Sequence, residues 1–309
     1  MHATESRPLP RRMRRGFCSA AGCMSGVAPR TLCATNARWI MSITARFRLS
    51  LDRWRDRTAM VYSGPDGVRR LTFGHFADRS RRFAVTLAEL GITSKHSVAI
   101  HLALVPEWWE IAAGSIRCGV PFSTVPPGYS LSDWVNLTRT EVVIVAREAL
   151  KEAVALREEG LVRFVILVED MPEPDTLRYQ TMLFLADPDE CVDSAPDCQS
   201  QVVLLDEAGT RDQAQLDLDA SVLGLDQFDR EEADLHWNLI PRHQTTGVLL
   251  GLLEPWSAGA AVLVDSCGSV AEQVLIRFPV TTVSAQRPFF ATRTAVAGNS
   301  VRNVLVVDN

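Results

Sequence analysis

Apolar positions along the chain follow two rhythms. Short apolar runs at residues 98–102, 142–145, 162–168, 202–205, 235–239, 261–264, 281–284 and 304–307 have the continuous pattern of strands covered on both faces. Between them, apolar residues recur at steps of three and four. Phe73, Phe76, Ala77, Phe83, Ala84, Leu87 and Leu90 form one such stripe, with Arg79, Arg81 and Arg82 on the other side and Gly91 as a stop. This predicts an amphipathic helix. Further helices are predicted from Val105-Pro106-Glu107 to Gly119, over 147–158, around 247–256 and over 269–277. Residues 59–62 and 68–73 flank Gly64-Pro65-Asp66-Gly67, strong turn chemistry, and predict a hairpin. Strands alternating with helices predict an α/β fold, a largely parallel sheet flanked by helices.

Two segments break the alternation. Residues 169–200 are acidic and carry Pro172, Pro174, Pro188 and Pro196, which predicts a partly ordered connection inside a domain of residues 49–309. Residues 1–48 read as a leader: the first fifty residues hold nine arginines and one acid, Glu5, in a chain of net charge -5. A composition rich in Arg, Ser and Ala suits a mitochondrial transit peptide and a matrix location. Translated upstream sequence, with Met41 as the start and a cytoplasmic location, is the alternative.

Composition narrows the chemistry. A pI near 5.7, and no aromatics among Arg11 to Arg15, give no case for a nucleic-acid partner. Cys18, Cys23, Cys33, Cys118, Cys191, Cys198 and Cys267 include no C-x2-C pair, and the histidines show no i, i+4 pair, so no metal site is expected. The most apolar stretch, 247–264, is broken by Glu254-Pro255 and falls short of the ~20 residues a membrane helix needs, so no transmembrane segment is expected. Trp108 and Trp109 read as packing residues.

Residues 201–215 join an apolar strand to a small-residue turn, a setting in which backbone N–H groups can be aimed at a phosphate. The side chains oppose that use. Asp206, Glu207 and Asp212 repel phosphate, and no lysine is present.

Leu71-Thr72-Phe73-Gly74-His75-Phe76, the helix to Leu90-Gly91 and Val98-Ala99-Ile100 resemble the opening of the adenylate-forming acyl-CoA synthetases. Val105-Pro106-Glu107-Trp108-Trp109, Ile116-Arg117-Cys118-Gly119, Leu253-Glu254-Pro255-Trp256 and Arg277-Phe278-Pro279 resemble the mitochondrial medium-chain members. The resemblance implies the N-terminal α/β domain of an AMP-binding enzyme, incomplete here and without the C-terminal lid domain. It implies a family reaction in which a fatty acid and Mg-ATP form an acyl-adenylate that is passed to coenzyme A.

Set on the family's Thr-Ser-Gly-Thr-(Ser/Thr)-Gly-x-Pro-Lys loop, the chain keeps Gly209 and Thr210 as a remnant of the ATP phosphate site, while Glu207, Ala208, Asp212, Ala214 and Gln215 replace its working residues. The acyl-pocket motif Asp-x-Gly-Trp falls on Pro241, Arg242, His243 and Gln244, leaving His243 and Gln244 as a pocket remnant. The adenine-side Gly-Glu falls on Asp308-Asn309, where the sequence stops. The expectation is an acyl-CoA synthetase homologue with no catalytic residues of its own, binding none of ATP, Mg2+ or coenzyme A. Two alternatives stand beside it: an atypical active enzyme completed by another chain, and a binding module that holds a fatty acid or pairs with an intact homologue.

Overall fold

A computed structural model describes residues 41–194, 201–225, 230–286 and 301–307. The first described helix, α1 (Ile43–Arg53), is capped by Ser42, whose hydroxyl accepts the Ala45 N–H at 3.2 Å. Ile43, Phe47 and Leu51, a stripe at steps of four, are buried in the core. Arg48 is buried too, donating to the Ser194 carbonyl at 2.7 Å. Residues 43–48 therefore belong to the domain rather than to the leader, which corrects the boundary at 48. The rest of the leader, residues 1–40, lies outside the described residues, as do Cys18, Cys23, Cys33, Cys198 and Asp308-Asn309.

β1 (Thr58–Gly64) and β2 (Gly67–Thr72) form the expected hairpin, and Thr72 caps α2 (Phe73–Glu89). Then follow β3 (Val98–His101), α3 (Glu107–Cys118), β4 (Phe122–Thr124), α4 (Leu131–Thr138), β5 (Val142–Val145), α5 (Leu150–Glu158) and β6 (Phe164–Leu167). The segment read as a partly ordered connection carries β7 (Leu177–Arg178) and α6 (Tyr179–Leu185), with Tyr179 and Leu183 fully buried. Two large anchors at a four-residue step dock this short helix despite the flanking prolines. Residues 195–200 of that segment are outside the description.

The chain continues through β8 (Val202–Asp206), β9 (Gly209–Asp212), α7 (Gln213–Val222) and β10 (Leu235–Asn238). Next, α8 (Thr245–Val248) runs through a π turn at Leu249–Leu253 into α9 (Glu254–Ser257). β11 (Ala261–Asp265), α10 (Ala271–Arg277), β12 (Thr282–Gln286) and β13 (Asn303–Val307) complete it.

The strands form two sheets rather than one. One has the order β13-β12-β10-β11-β1-β2, the other β7-β6-β5-β3-β4-β8-β9, and each is parallel except for a hairpin strand at one edge. Period-two alternation sorts their side chains. Val98, Ile100, Val142 and Ile144 of the second sheet and Met60, Tyr62, Val262 and Val264 of the first share one core with α1, α2, α3 and α9. Ala99, Val143, Val145 and Val165 face α4 and α5, while Val61, Trp237, Leu263 and Val283 face α10. A helical layer thus lies between two sheets, each covered again on its far side. Trp256 ties the layers, fully buried against Phe47, Phe73 and Phe76, with its indole N–H on the Ala59 carbonyl at 3.0 Å.

Candidate functional site

β8 and β9 pair antiparallel with Asp206 opposite Gly209, so Glu207 and Ala208 alone make the turn. Gly209 takes the left-handed φ of 115° next to it, and Thr210 lies on the return strand; both are exposed. The turn's polar groups are already engaged. Asp206 Oδ1 accepts the Ala208 N–H at 2.9 Å, and Oδ2 accepts the Thr245 hydroxyl. Arg211, the nearby cation, lies 4.0 Å from Asp206 and 3.5 Å from Asp219. Asp212 caps α7 through the Gln215 N–H at 2.8 Å. A triphosphate brought here would meet two carboxylates, no lysine and an N–H already held by Asp206. These residues do not fit the phosphates of ATP.

The loop from Leu239 to Gln244 follows β10 and is organised by Asn238. Its amide donates to the Ile240 and Gly247 carbonyls at 3.0 and 3.2 Å, and its oxygen accepts from Ser284 Oγ at 2.7 Å. Gly247 is required here, because a Cβ would overlap the Pro241 carbonyl. Gln244 accepts from the Gln286 amide at 2.8 Å at the end of β12. Burial lowers the pKa of His243, against a smaller upward pull from Glu207, so the ring is neutral at pH 7.

Below this loop opens a cleft of about 540 Å³, reached by the carboxyl ends of β10 and β11 in one sheet and of β3 and β4 in the other. Ligands of open parallel sheets gather at such ends. Leu102, Leu104, Trp109, Val125 and Ile240 make much of its wall apolar, and Arg242, His243 and Asp265 add polar groups. Arg242 joins the two sheets' loops: Nη2 donates to the Leu102 and Ala103 carbonyls at 3.3 and 3.1 Å, and the guanidinium sits 4.9 and 5.2 Å from the ring centres of Trp108 and Trp109. Burial, with no carboxylate opposing it, pulls its pKa down to about 9, leaving it cationic at neutral pH. Its Nη1 is out of contact with solvent and has no hydrogen-bond partner among the described residues.

The structure brings the hairpin turn to the 239–245 loop through Asp206 and Thr245, but Gly209 and Thr210 face solvent. His243 lines the cleft, whereas Gln244 is committed to Gln286. Arg242 occupies the unspecified position of the Asp-x-Gly-Trp motif, so the sequence pattern does not single it out. The available signal was that no acidic residue occurs between Asp234 and Glu254 to partner it. Among the described residues no group of three or more His, Cys, Asp or Glu could hold a metal ion, and no helix is long and apolar enough to cross a membrane.

A model of the AMP-binding enzyme family matches residues 47–203. Acetyl-coenzyme A synthetase 1 of Candida albicans is 29% identical over 122 residues, 37% of this chain and 18% of the relative. The mitochondrial acyl-coenzyme A synthetase ACSM2A of Homo sapiens is 23% identical over 286 residues, 81% of this chain and 48% of the relative. The crystal structure of the anthranilate CoA ligase AuaEII with anthranoyl-AMP superposes with a TM-score of 0.72 at 18% identity, over 86% of this chain and 54% of that one, a likeness of fold. The chain thus spans about half or less of these proteins.

Proposed function

The chain belongs to the AMP-binding enzyme family, with the fold of the N-terminal domain of adenylate-forming enzymes and homology to acyl- and acetyl-CoA synthetases; from that premise we propose that it is a medium-chain-type homologue that does not itself form acyl-adenylates. One observation carries the reading: the two-residue turn at Glu207-Ala208, with Asp206 holding the Ala208 N–H at 2.9 Å. Adenylation concentrates negative charge on phosphate, and removing a single preorganised donor from such a site costs roughly 10²–10³ in rate. Here the donors, the lysine and the charge sign have all changed. The medium-chain assignment is supported by the Val-Pro-Glu-Trp-Trp and Glu-Pro-Trp segments and by the span of the match to the human mitochondrial relative. That relative's name and the arginine-rich leader favour a mitochondrial matrix location.

The test is acid-dependent ATP–pyrophosphate exchange by the full chain, across fatty acids from butyrate to laurate, beside an intact medium-chain synthetase. The expected result is no exchange from a folded protein. Exchange above the blank overturns the proposal and restores an adenylating enzyme. The cleft favours a second reading, a binding module, for which co-elution with a full-length homologue and direct ligand titration are the readouts.

A further inference from the structure

Two adjacent large apolar side chains on α6 are left in water. Phe184 is 84% exposed and Leu185 74%, although Tyr179 and Leu183 of the same helix are fully buried. At about 100° per residue, Phe184 and Leu185 cover the side of the helix turned away from Leu183. The helix that presents them is fastened at both ends. The Tyr179 hydroxyl donates to Glu110 at 2.9 Å, Arg79 donates to Gln180 at 2.7 Å, and Arg82 donates to the Leu183 and Ala186 carbonyls at 3.1 and 2.7 Å. Single exposed apolar residues are ordinary, but a rigidly held pair is a formed apolar surface.

The charges beside this surface are sorted. Residues 169–194 hold eight acids and one arginine. Asp170, Glu173, Asp175 and Asp193 each lie 2.9 to 3.8 Å from an arginine. Asp187, Asp189 and Glu190, which follow α6 directly, are exposed and form no ion pair among the described residues. Asp187 turns one oxygen inward, accepting the Asp189 N–H at 3.0 Å.

We propose that the end of α6 is a docking surface for a partner protein presenting a basic amphipathic helix, its apolar stripe on Phe184 and Leu185 and its Lys or Arg residues beside Asp187, Asp189 and Glu190. Charge selects this occupant. A second copy offering the same face, or an anionic lipid surface, would bring like charge to three acids that lack counter-ions. A cationic helix supplies those counter-ions, and its stripe covers the apolar pair. Because α6 is already fixed, little ordering on this side opposes association. The surface uses no residue of the cleft or of the turn at Glu207-Ala208, so it is independent of the adenylation reading.

The experiment is fluorescence anisotropy of a labelled leucine–lysine amphipathic peptide titrated with the full chain, beside one peptide with glutamate for lysine and one with serine for leucine. The expected result is saturable binding in about the micromolar range, weakened about tenfold or more in both control peptides and by salt. Phe184→Ser with Leu185→Ser should weaken binding at least about tenfold. Asp189→Asn with Glu190→Gln, which spares the turn at Asp187, should weaken it about three- to tenfold and reduce the salt dependence. Two controls should stay within about twofold: Ile276→Ser, an equally exposed apolar residue, and Glu158→Gln with Glu159→Gln, an equal charge change on α5 and its C-cap. Circular dichroism checks that each variant folds. Absence of saturable binding overturns the surface. So does equal weakening by the Glu158 and Glu159 pair, which would show diffuse attraction to an acidic protein. Self-association of the full chain in sedimentation, or binding to phosphatidylserine vesicles, that is lost in the Phe184 and Leu185 variant would overturn the choice of occupant.

Discussion

Glu110→Ala tests how the middle helical layer is held. Glu110 is on α3 and 3% exposed. It accepts His75 Nε2 at 2.8 Å and Arg79 Nε at 2.8 Å from α2, and the Tyr179 hydroxyl at 2.9 Å from α6. Burial works to raise its pKa, but the hydrogen bond from His75 and the charge of Arg79 outweigh it, and the carboxyl stays below its ordinary value. Removing one member of a buried pair costs roughly 3–5 kcal/mol where the other is stranded. Arg79 is one-fifth exposed and keeps Gln180 at 2.7 Å, so the low end, about 3 kcal/mol, is expected. In urea this is a midpoint shift of about 1 M for an m-value near 3 kcal/mol/M.

The pH dependence has a definite sign. A depressed carboxyl stabilises above the unfolded pKa of about 4.3, and the contribution is lost as pH falls through the folded value. Glu110→Gln should flatten that acid limb. Glu107 is the control, because burial and the charge of Glu110 raise its pKa, so Glu107→Gln should leave stability equal or higher at pH 7. A Glu110→Ala protein within 1 kcal/mol of the parent, with its acid limb intact, would refute the reasoning.

Three further outcomes are expected. His236 is fully buried between Thr282 and Ser284, and burial holds its pKa well below the ordinary value. The unfolded chain therefore takes up the extra proton, and stability should fall by about 1.4 kcal/mol per pH unit below 6.5, a slope absent in His236→Gln denaturation curves. Phe47→Ala should cost about 3–5 kcal/mol by thermal or urea unfolding, as for a core phenylalanine; a cost under 1 would return α1 to the leader. Asp206→Asn combined with Glu207→Gln should not create nucleotide binding in a fluorescent-ATP titration, since Gly209 and Thr210 remain on the return strand; saturable binding would show that charge alone had closed the site.

Local pattern made much of the fold readable. The stripe from Phe73 to Leu87 and the Gly-Pro-Asp-Gly turn each specify their element without distant help. The stripe of α1 is equally present in the sequence, but Arg46 and Arg48 also belong to the arginine-rich first fifty residues, and the burial of Arg48 depends on Ser194, far along the chain. α6 is too short for a period to register, and its docking rests on Glu110 meeting Tyr179. The division into two sheets was beyond local reading, because a strand covered on both faces looks alike in either. For the site, the distance back from Glu254-Pro255-Trp256 located the loop carrying His243. Whether Arg242 has a partner is a three-dimensional property, and the absence of nearby acids around it only hints at the answer.

The segments that carry the family resemblance prove to be structural. Glu254 forms a buried ion pair with Arg230, Trp256 joins α9 to β1, Trp108 donates to Thr124 at 2.9 Å, and Trp109 donates to the Gly251 carbonyl at 3.1 Å. These contacts fasten sheets to helices and would serve any chemistry or none. The expected phosphate-loop positions are a separate set. Asp206, at the end of β8 in one sheet, accepts from Thr245 at the start of α8, beside the loop that follows β10 in the other. The place where the family's reaction needs open N–H donors here contributes a link between the two sheets. Because frame and chemistry use different residues, a family match and a shared fold carry no entailment of activity.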